Sequence, residues 1–304
     1  MDDNRRVIVV AGEALMDVLA EPDGRLVALP GGAVFNVARA LGWLGADCSY
    51  LGRISDDRFG TELRSRLTEA GARLAVEEPT TVPTTLALAE LDDGGSARYR
   101  FYHVQTSASQ LEPEVIPLDL LDGADAFLVG GIVLGLEPVS STLLSLVTVA
   151  PESLTVVCDP NCRPSAIDDL AAYRRTIGAL MRRVDIVKAS VEDLALICEG
   201  DAPHDAARRL IASGPSAVII TDGPGPVAII TAEDADEIPV PEVEVVDTIG
   251  AGDAFVAGLL DWWVARGTPR SSAGDLETLR AATRSAVEVS ARAVRVRGAG
   301  LAPA

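Results

Sequence analysis

Gly250, Ala251, Gly252 and Asp253 stand in a row between a valine-rich run, residues 242–246, and an apolar run that continues to Ala265. Glycine gives up more backbone freedom on folding than any other residue, so glycines here need a use for bare backbone. Phe255, Leu259, Trp262 and Trp263 lie about one turn apart, which predicts a helix over 253–265 following a strand over 242–246. The glycines then form the turn into the helix amino terminus. The first amide N–H groups there lack intrahelical partners and the dipole end is positive, so a phosphate can be cradled by backbone alone. A Cβ would block that approach, and the turn can require a positive φ. Asp253 has two readings on these grounds. It can cap or complement the helix, or it can act as a base that takes a proton from an alcohol attacking the cradled phosphate.

Other phosphate loops are excluded by the same residues. Lys188 is the only lysine and follows Asp-Ile-Val, so no Walker A loop exists. A dinucleotide fingerprint needs a third glycine where Phe255 stands, and no Gly-x-Ser-x-Gly elbow occurs.

The elements that must position this turn alternate. Residues 6–12 are a β-branched run ending in glycine, and residues 35–45 carry apolar spacing near a helical period before a glycine stop. "AFLVGG", "SLTVVCD", "VDIVKAS" and "SAVIITDG" repeat the strand pattern, with helical segments such as 140–149 and 206–212 between them. The pattern predicts an α/β fold with a mostly parallel central sheet flanked by helices, and ligands at the strands' carboxyl ends. Two stretches break the rhythm. Residues 84–104 read as a hairpin turning at "DDGG", and residues 13–29 as another turning at "PDG". Hairpins without crossover helices cannot join a parallel sheet, so they are expected to form a small separate sheet, a lid over the ligand end or an edge extension.

Bulk properties narrow the classes. In 304 residues with 48% hydrophobic content, no apolar run approaches the roughly 20 residues of a bilayer span, and acidic residues stand at the amino terminus where a signal peptide is positive. A cytoplasmic location and no membrane partner are expected. A net charge of −19 disfavours nucleic acid, whose phosphates need clustered cations. Cys48, Cys158, Cys162 and Cys198, with only His103 and His204, match no zinc spacing and read as reduced, mostly buried thiols.

"DTIGAGDAFVAGLL" resembles the carboxyl-terminal signature of the ribokinase-like, or PfkB-type, carbohydrate kinases. "GGAVFNVARALGWLGADCSYLGRISDDRFG" resembles their amino-terminal signature. The resemblance implies a Rossmann-like ribokinase fold in a single kinase unit, with a β-sheet lid from about 13–33 and 83–104 that serves many relatives as a dimer contact. It implies Asp253 as catalytic base, and Gly250, Ala251 and Gly252 as the anion hole for a transferring γ-phosphate. Asp17, Gly31, Gly32 and Asn36 match sugar-binding positions. Capping and solvation are the plainer roles for Asp17 and Asn36. "DPNCRPS" resembles the Asp-x-Asn-x-Arg segment of fructokinases and 2-keto-3-deoxygluconate kinases, which puts Asn161 and Arg163 on sugar or phosphate; an Arg lying on the surface is the alternative.

On the nucleotide side, "KASVEDL" resembles the family segment written Asn-x-x-Glu or Ser-x-x-Glu. It implies Lys188 and Ser190 near ATP, and Asp193 with Glu192 near Mg2+ through water. Complementing a helix start is the plainer role for the two acids. "ITDGPGP" resembles the nucleotide-side turn, with Thr221, Gly223 and Gly225 near phosphates and ribose. Asp247 and Ile249, with backbone near Gly298, align with a monovalent-cation site, for which K+ is the expected ion.

Two departures bear on the substrate. His103 replaces an arginine common in fructokinase-like relatives, and "GGAVFN" lacks the serine hydroxyl of the usual Gly-Gly-Ser-Pro-Phe-Asn. The expected reaction is ATP-dependent phosphorylation of a primary sugar hydroxyl, with fructose first because "GLEPVSSTLL" and "DPNCRPS" look fructokinase-like. The alternatives are 2-keto-3-deoxygluconate, ribose and a nucleoside. A nucleoside would want an aromatic wall, and 4% aromatic residues offer few candidates. From another class, a sugar- or nucleotide-binding relative without catalysis would be free to lose Gly250, Gly252 or Asp253, which are all present.

Overall fold

The computed structural model describes residues 6–20, 24–91 and 97–301. The chain opens with β1 (Val7–Ala11), β2 (Leu15–Ala20), β3 (Leu26–Gly31), α1 (Ala33–Leu44), β4 (Asp47–Leu51), α2 (Arg58–Ala70), β5 (Arg73–Leu74), β6 (Leu86–Leu91) and β7 (Ala97–Tyr102). The middle holds β8 (Ala124–Gly130), α3 (Val139–Thr148), β9 (Thr155–Asp159), α4 (Leu170–Leu180), β10 (Ile186–Ser190), α5 (Val191–Ile197) and α6 (Pro203–Ile211). It ends with β11 (Ala217–Thr221), β12 (Val227–Thr231), β13 (Ala235–Ile238), α7 (Ala251–Ala265) and α8 (Leu276–Ala293).

Nine strands form one sheet in the order β13-β12-β11-β10-β9-β8-β1-β4-β5. Every pairing from β11 to β5 is parallel, and β12 and β13 add an antiparallel edge. The sequence explains the layers. Period-2 alternation sends Ile8 and Val10 of β1, and Ala126 and Leu128 of β8, to the face covered by α1, α2, α7 and α8. Val9, Ala11, Phe127 and Val129 point to the face covered by α3, α4, α5 and α6. Both faces are buried, which is why these strands read as continuous apolar runs. The four thiols are buried and unpaired. No helix among the described residues is long and apolar enough to cross a membrane.

Both expected hairpins form and join in a second sheet, β3-β2-β6-β7, through parallel pairing of β2 with β6. The "DDGG" turn, and Pro22 and Asp23 of the "PDG" turn, lie outside the described residues. Helix limits differ slightly from expectation: α6 begins three residues earlier, at Pro203, because proline suits a first turn whose N–H groups have no partner.

The valine-rich run 242–246 is not a strand. Alternating valines fit a half-buried strand, but the antiparallel edge ends at β13. The Val246 and Asp247 amides donate instead to the main-chain oxygen of Val294, at 2.8 and 3.2 Å, pinning the segment against the end of α8.

β1 lies between β4 and β8, so the connections leaving its neighbours diverge and a crevice opens at the strands' carboxyl ends. Leu128, fully buried at the centre of β8, supports that switch point. Leu128→Ala is expected to cost about 2–5 kcal/mol of unfolding free energy, because the surrounding strands and helices cannot close over the lost volume. Urea denaturation checks this; a loss below 0.5 kcal/mol on the same scale would mean the two faces are loosely packed.

Candidate active site

Asp253 sits on the first turn of α7, with 8% of its surface exposed. Gly250 caps that helix with φ 78°, a left-handed geometry that favours glycine, and a Cβ there would lie 2.8 Å from the Ala299 Cβ. The turn thus presents the amides of Gly252 and Asp253 at the positive end of a 15-residue helix, while the Ala251 amide donates to Thr248 O at 3.2 Å. Both Gly250 and Gly252 border the crevice.

Two cavities meet at this turn. The first, about 420 Å³, is lined by Asp17, Gly32, Asn36, Tyr99, Phe101, Asn161, Arg163, Lys188 and Asp253, among others. The second, about 750 Å³, is an apolar slot between Val227, Val240, Pro241, Val243, Val245, Phe255, the α8 residues Val287 and Ala291, and Val294 just past that helix. Thr221, Thr248, Ala251 and Gly252 belong to both. The anion cradle is therefore the doorway between a polar chamber and an apolar one.

In the polar chamber, the Asn36 Nδ2 donates to Asp253 Oδ2 at 2.9 Å and leaves its buried Oδ1 without a partner. That oxygen is an acceptor waiting for a hydroxyl. Asn161 reaches Asp253 Oδ1 more loosely, at 3.5 Å, from a backbone held at φ 41°. Such a conformation costs energy for any residue with a side chain, though Asn tolerates it best, and it gathers at functional sites. Asp17 leans over Gly31, where any Cβ would collide with its carboxylate. Burial pushes Asp17 up to about 6, with Arg163 opposing. Burial likewise pushes Asp253 up to about 6; the Asn36 hydrogen bond and the charges of Lys188 and Arg163 hold it down, and Asp159 pushes it up. A carboxylate with that affinity for a proton is a better base than an ordinary aspartate.

Lys188, 3% exposed, pairs with Asp159 Oδ2 at 3.3 Å, and a Cβ on Gly252 would sit 3.3 Å from its Nζ. Burial works against the ammonium, but Asp159, Asp193 and Asp253 outweigh it and raise Lys188 above its ordinary value. The chain's one lysine is thus a fixed cation behind the cradle. Asp193 accepts the Cys162 amide at 2.6 Å and the Ser190 amide at 2.8 Å, while Ser190 Oγ accepts the Asp193 amide. This capping box ties the Asn161–Arg163 loop to the start of α5.

Some expected residues lie elsewhere. Glu192 is exposed on the outer side of α5 and does not border the chamber, because one helical position turns it away from Asp193. His103 follows the end of β7, also off the chamber, with Nε2 3.5 Å from Asp168 Oδ2. The β7 residues that do reach the chamber are Tyr99 and Phe101, stacked with centroids 6.4 Å apart. Gly223, at φ 49°, borders the slot, whereas Gly225 turns its amide to Asp222 O at 2.8 Å. Asp247 accepts the amides of Ile249 and Gly298 at 3.0 and 2.9 Å; burial opposes its charge, but these bonds prevail and hold it below the usual carboxylate range. Ile249 borders the chamber.

Sequence reasoning missed Glu13, Tyr99, Phe101, Ile132 and the apolar walls of the slot. The slot carried a signal: Val287, Ser290, Ala291 and Val294 follow i, i+3, i+4, i+7 spacing on α8.

A buried carboxylate beside a helix amino terminus, with chambers of opposite polarity on either side, is an arrangement suited to phosphoryl transfer to an alcohol. The chain belongs to the pfkB family of carbohydrate kinases, whose family model matches residues 5–304. It is 34% identical to a fructokinase of Rhizobium leguminosarum bv. trifolii over 260 residues, 84% of this chain and 78% of that protein. Among solved structures, it matches the fructokinase of Xylella fastidiosa with bound ATP at TM-score 0.86 and 26% identity, over 97% of this chain and 94% of that one. The aminoimidazole riboside kinase of Salmonella enterica, complexed with aminoimidazole riboside and an ATP analog, matches at TM-score 0.80 and 26% identity, over 97% and 95%.

The raised affinity of Asp253 for its proton has a stability consequence. Above pH 6 the folded chain holds an ionised carboxylate that burial disfavours, whereas the unfolded chain ionises it freely. The stability Asp253 provides is therefore complete at low pH and lost as pH rises through about 6. Asp253→Asn is expected to be more stable than the parent at pH 8, by about 1–3 kcal/mol, with the difference shrinking towards pH 4. Denaturation at the two pH values checks this; an equal difference at both would mean that Asp253 is not held against its ionisation.

Proposed function

We propose that this carbohydrate kinase transfers the γ-phosphoryl group of ATP to a primary hydroxyl of fructose. The observation that carries the reading is the shared doorway, where one set of α7 amides serves both chambers. The apolar slot suits an adenine ring, Thr221 and Gly223 lie where ribose and phosphates would pass, and the polar chamber suits a sugar. Fructose is favoured over other sugars by the relatives' names and by Asp17, the free Asn36 Oδ1, Asn161 and Arg163, which offer several hydroxyl partners.

In the reaction, Asp253 takes the hydroxyl proton as the sugar oxygen attacks the γ-phosphorus, and the bond from that phosphorus to the bridging oxygen of ADP breaks in line. The Gly252 amide, with Lys188, meets charge building on the transferring group. The second sheet supplies Asp17, Tyr99 and Phe101 as one wall, and its closure as a lid would keep water from becoming the acceptor. Among the described residues no three acidic, thiol or imidazole groups converge on a metal position. Mg2+ would accordingly be carried by the nucleotide phosphates, with Asp193 approached through water, and would shield their charge. The Asp247 and Ile249 loop is the proposed place for K+. The exposed Leu26, Leu29 and Tyr102 on the edge strands β3 and β7 support a homodimer through the second sheet.

A riboside is the second reading. The Tyr99 and Phe101 pair gives the chamber the aromatic wall that a heterocyclic base would need, which the low aromatic content had argued against.

ADP release should be measured with ATP and Mg2+ over fructose, ribose, 2-keto-3-deoxygluconate, glucose, adenosine and inosine. Fructose should give the highest kcat/KM, and Asp253→Asn should lower turnover by roughly 10² to 10⁴ while ATP still binds. Adenosine or inosine in first place would establish the riboside reading. Full turnover by Asp253→Asn would remove its role as base.

A further inference from the structure

Glu13 is a buried carboxylate at the acceptor chamber to which phosphoryl transfer, as described, assigns no task. It follows β1 by two residues, borders the chamber and is 2% exposed. Its Oε1 accepts the Ala33 amide at 2.7 Å and its Oε2 accepts the Ile132 amide at 3.0 Å. Its main-chain oxygen accepts the Phe35 amide at 3.3 Å. The two side-chain bonds go to separate walls. Ala33 opens α1, the helix that carries Asn36 and, through it, holds Asp253. Ile132 opens the short turn after β8, across the crevice from α1. A Cβ on Gly131 would strike Oε2, so the backbone is shaped to let the carboxylate in.

Both partners are N–H donors, and only an ionised carboxylate offers each of them a free acceptor oxygen. A protonated Glu13 would point its own O–H at one of those donors and lose that bond. We propose that Glu13 is a positioning residue whose ionised carboxylate clasps both walls of the acceptor chamber in register with Asp253, so that turnover requires Glu13 to be ionised as well as the base. The kinetic part of this proposal rests on the kinase reading above; the clasp itself does not.

The titratable groups that line the same chamber or act on Glu13 come from every neighbouring element. They are Asp253 on α7, Arg163 after β9, Asp17 on β2, Lys188 on β10, Asp193 on α5, and Tyr50 on β4, whose hydroxyl donates to Gly12 O at 2.8 Å. Burial pushes Glu13 up to about 7; backbone hydrogen bonds and Arg163 oppose the shift, and Asp253 adds to it. The clasp therefore loosens as pH falls through neutrality, within a range where an enzyme can be assayed.

The test is kcat/KM for fructose, with ATP and Mg2+, from pH 5 to 9 in the parent and in Glu13→Gln. Glutamine keeps one acceptor oxygen and the shape but cannot titrate. The variant should lose about tenfold at pH 8, as expected for one charged hydrogen bond removed. Its acid limb should also be shallower than the parent's by one proton, a tenfold smaller fall per pH unit. Asp17 and Asp253 titrate in both proteins, so the difference in slope isolates Glu13. Parallel acid limbs would overturn the kinetic part, because a purely structural role lowers activity without changing its proton dependence.

Hydrogen exchange of the Ala33 and Ile132 amides reads the clasp without catalysis. Protection in the parent, corrected for intrinsic rate, should fall from pH 8 to pH 6, and should be low in Glu13→Gln at both. Unchanged protection in the parent would overturn the clasp, and that arm stands even if the variant does not fold. Absence of sugar-dependent ADP release from the parent would instead overturn the kinase reading, with the exchange result still deciding the clasp.

Discussion

An ionised carboxylate and a phosphate repel each other, yet the proposed reaction needs both at one helix amino terminus. The chamber there holds Glu13, Asp17, Asp193 and Asp253 against only two cationic side chains, Arg163 and Lys188. A nucleotide triphosphate adds more negative charge. What makes the arrangement possible is the end of α7. Its amides contribute positive potential that needs no counter-ion and no side-chain entropy to organise. Lys188 stands behind them, already paired with Asp159, so its charge is present before a ligand arrives. A fixed cation in a low-dielectric site stabilises developing negative charge without reorganising at the moment of reaction.

The rest of the fold serves that terminus. Parallel pairing of β1 with both β4 and β8 sets the carboxyl ends of β1, β8, β9 and β10 side by side, and each delivers residues to the chamber. Packing of α7 against α1 and α8 decides what lies on either side of the amides. α1 gives the Asn36 contact to Asp253, and α8 gives the apolar wall of the slot. The division between polar and apolar chambers thus follows from which helix flanks α7, and the second sheet then roofs the polar side with Asp17, Tyr99 and Phe101.

Chemistry held in contiguous residues was legible in the sequence. The turn at Gly250–Asp253 and the helix start at Ser190–Asp193 each declare a backbone need within a few positions, whereas the Asn161–Arg163 loop was read only from its likeness to a family segment. The strands were legible because burial on both faces writes an unbroken apolar run. Glu13 was not, because its partners are amides at positions 33 and 132, and main-chain donors leave no trace in residue type. The run at 242–246 was misread for the opposite reason. Alternating valines satisfy a strand, but here they meet a helix end and a ligand slot that only the packing of α8 creates. Glu192 was drawn in by its place beside Asp193, and one helical position turns it off the chamber; His103 was named because it stands where relatives carry an arginine, but it lies past the end of β7 and off the chamber.

The same constraint explains where this enzyme spends stability. Asn161 holds left-handed backbone, Asn36 Oδ1 is buried without a partner, and Asp17, Glu13 and Asp253 are all buried against their tendency to ionise. None of these features helps the chain fold; each costs on the order of 1–3 kcal/mol. All of them converge on one chamber of about 420 Å³. The compensation lies in the apolar layers on both faces of the nine-stranded sheet. A sugar hydroxyl at Asn36 and charge balance at the cradle would remove several of these costs at once. Binding energy of that kind can draw the second sheet down over the substrate, so strain in the free chamber and closure in the occupied one are two sides of a single free-energy difference.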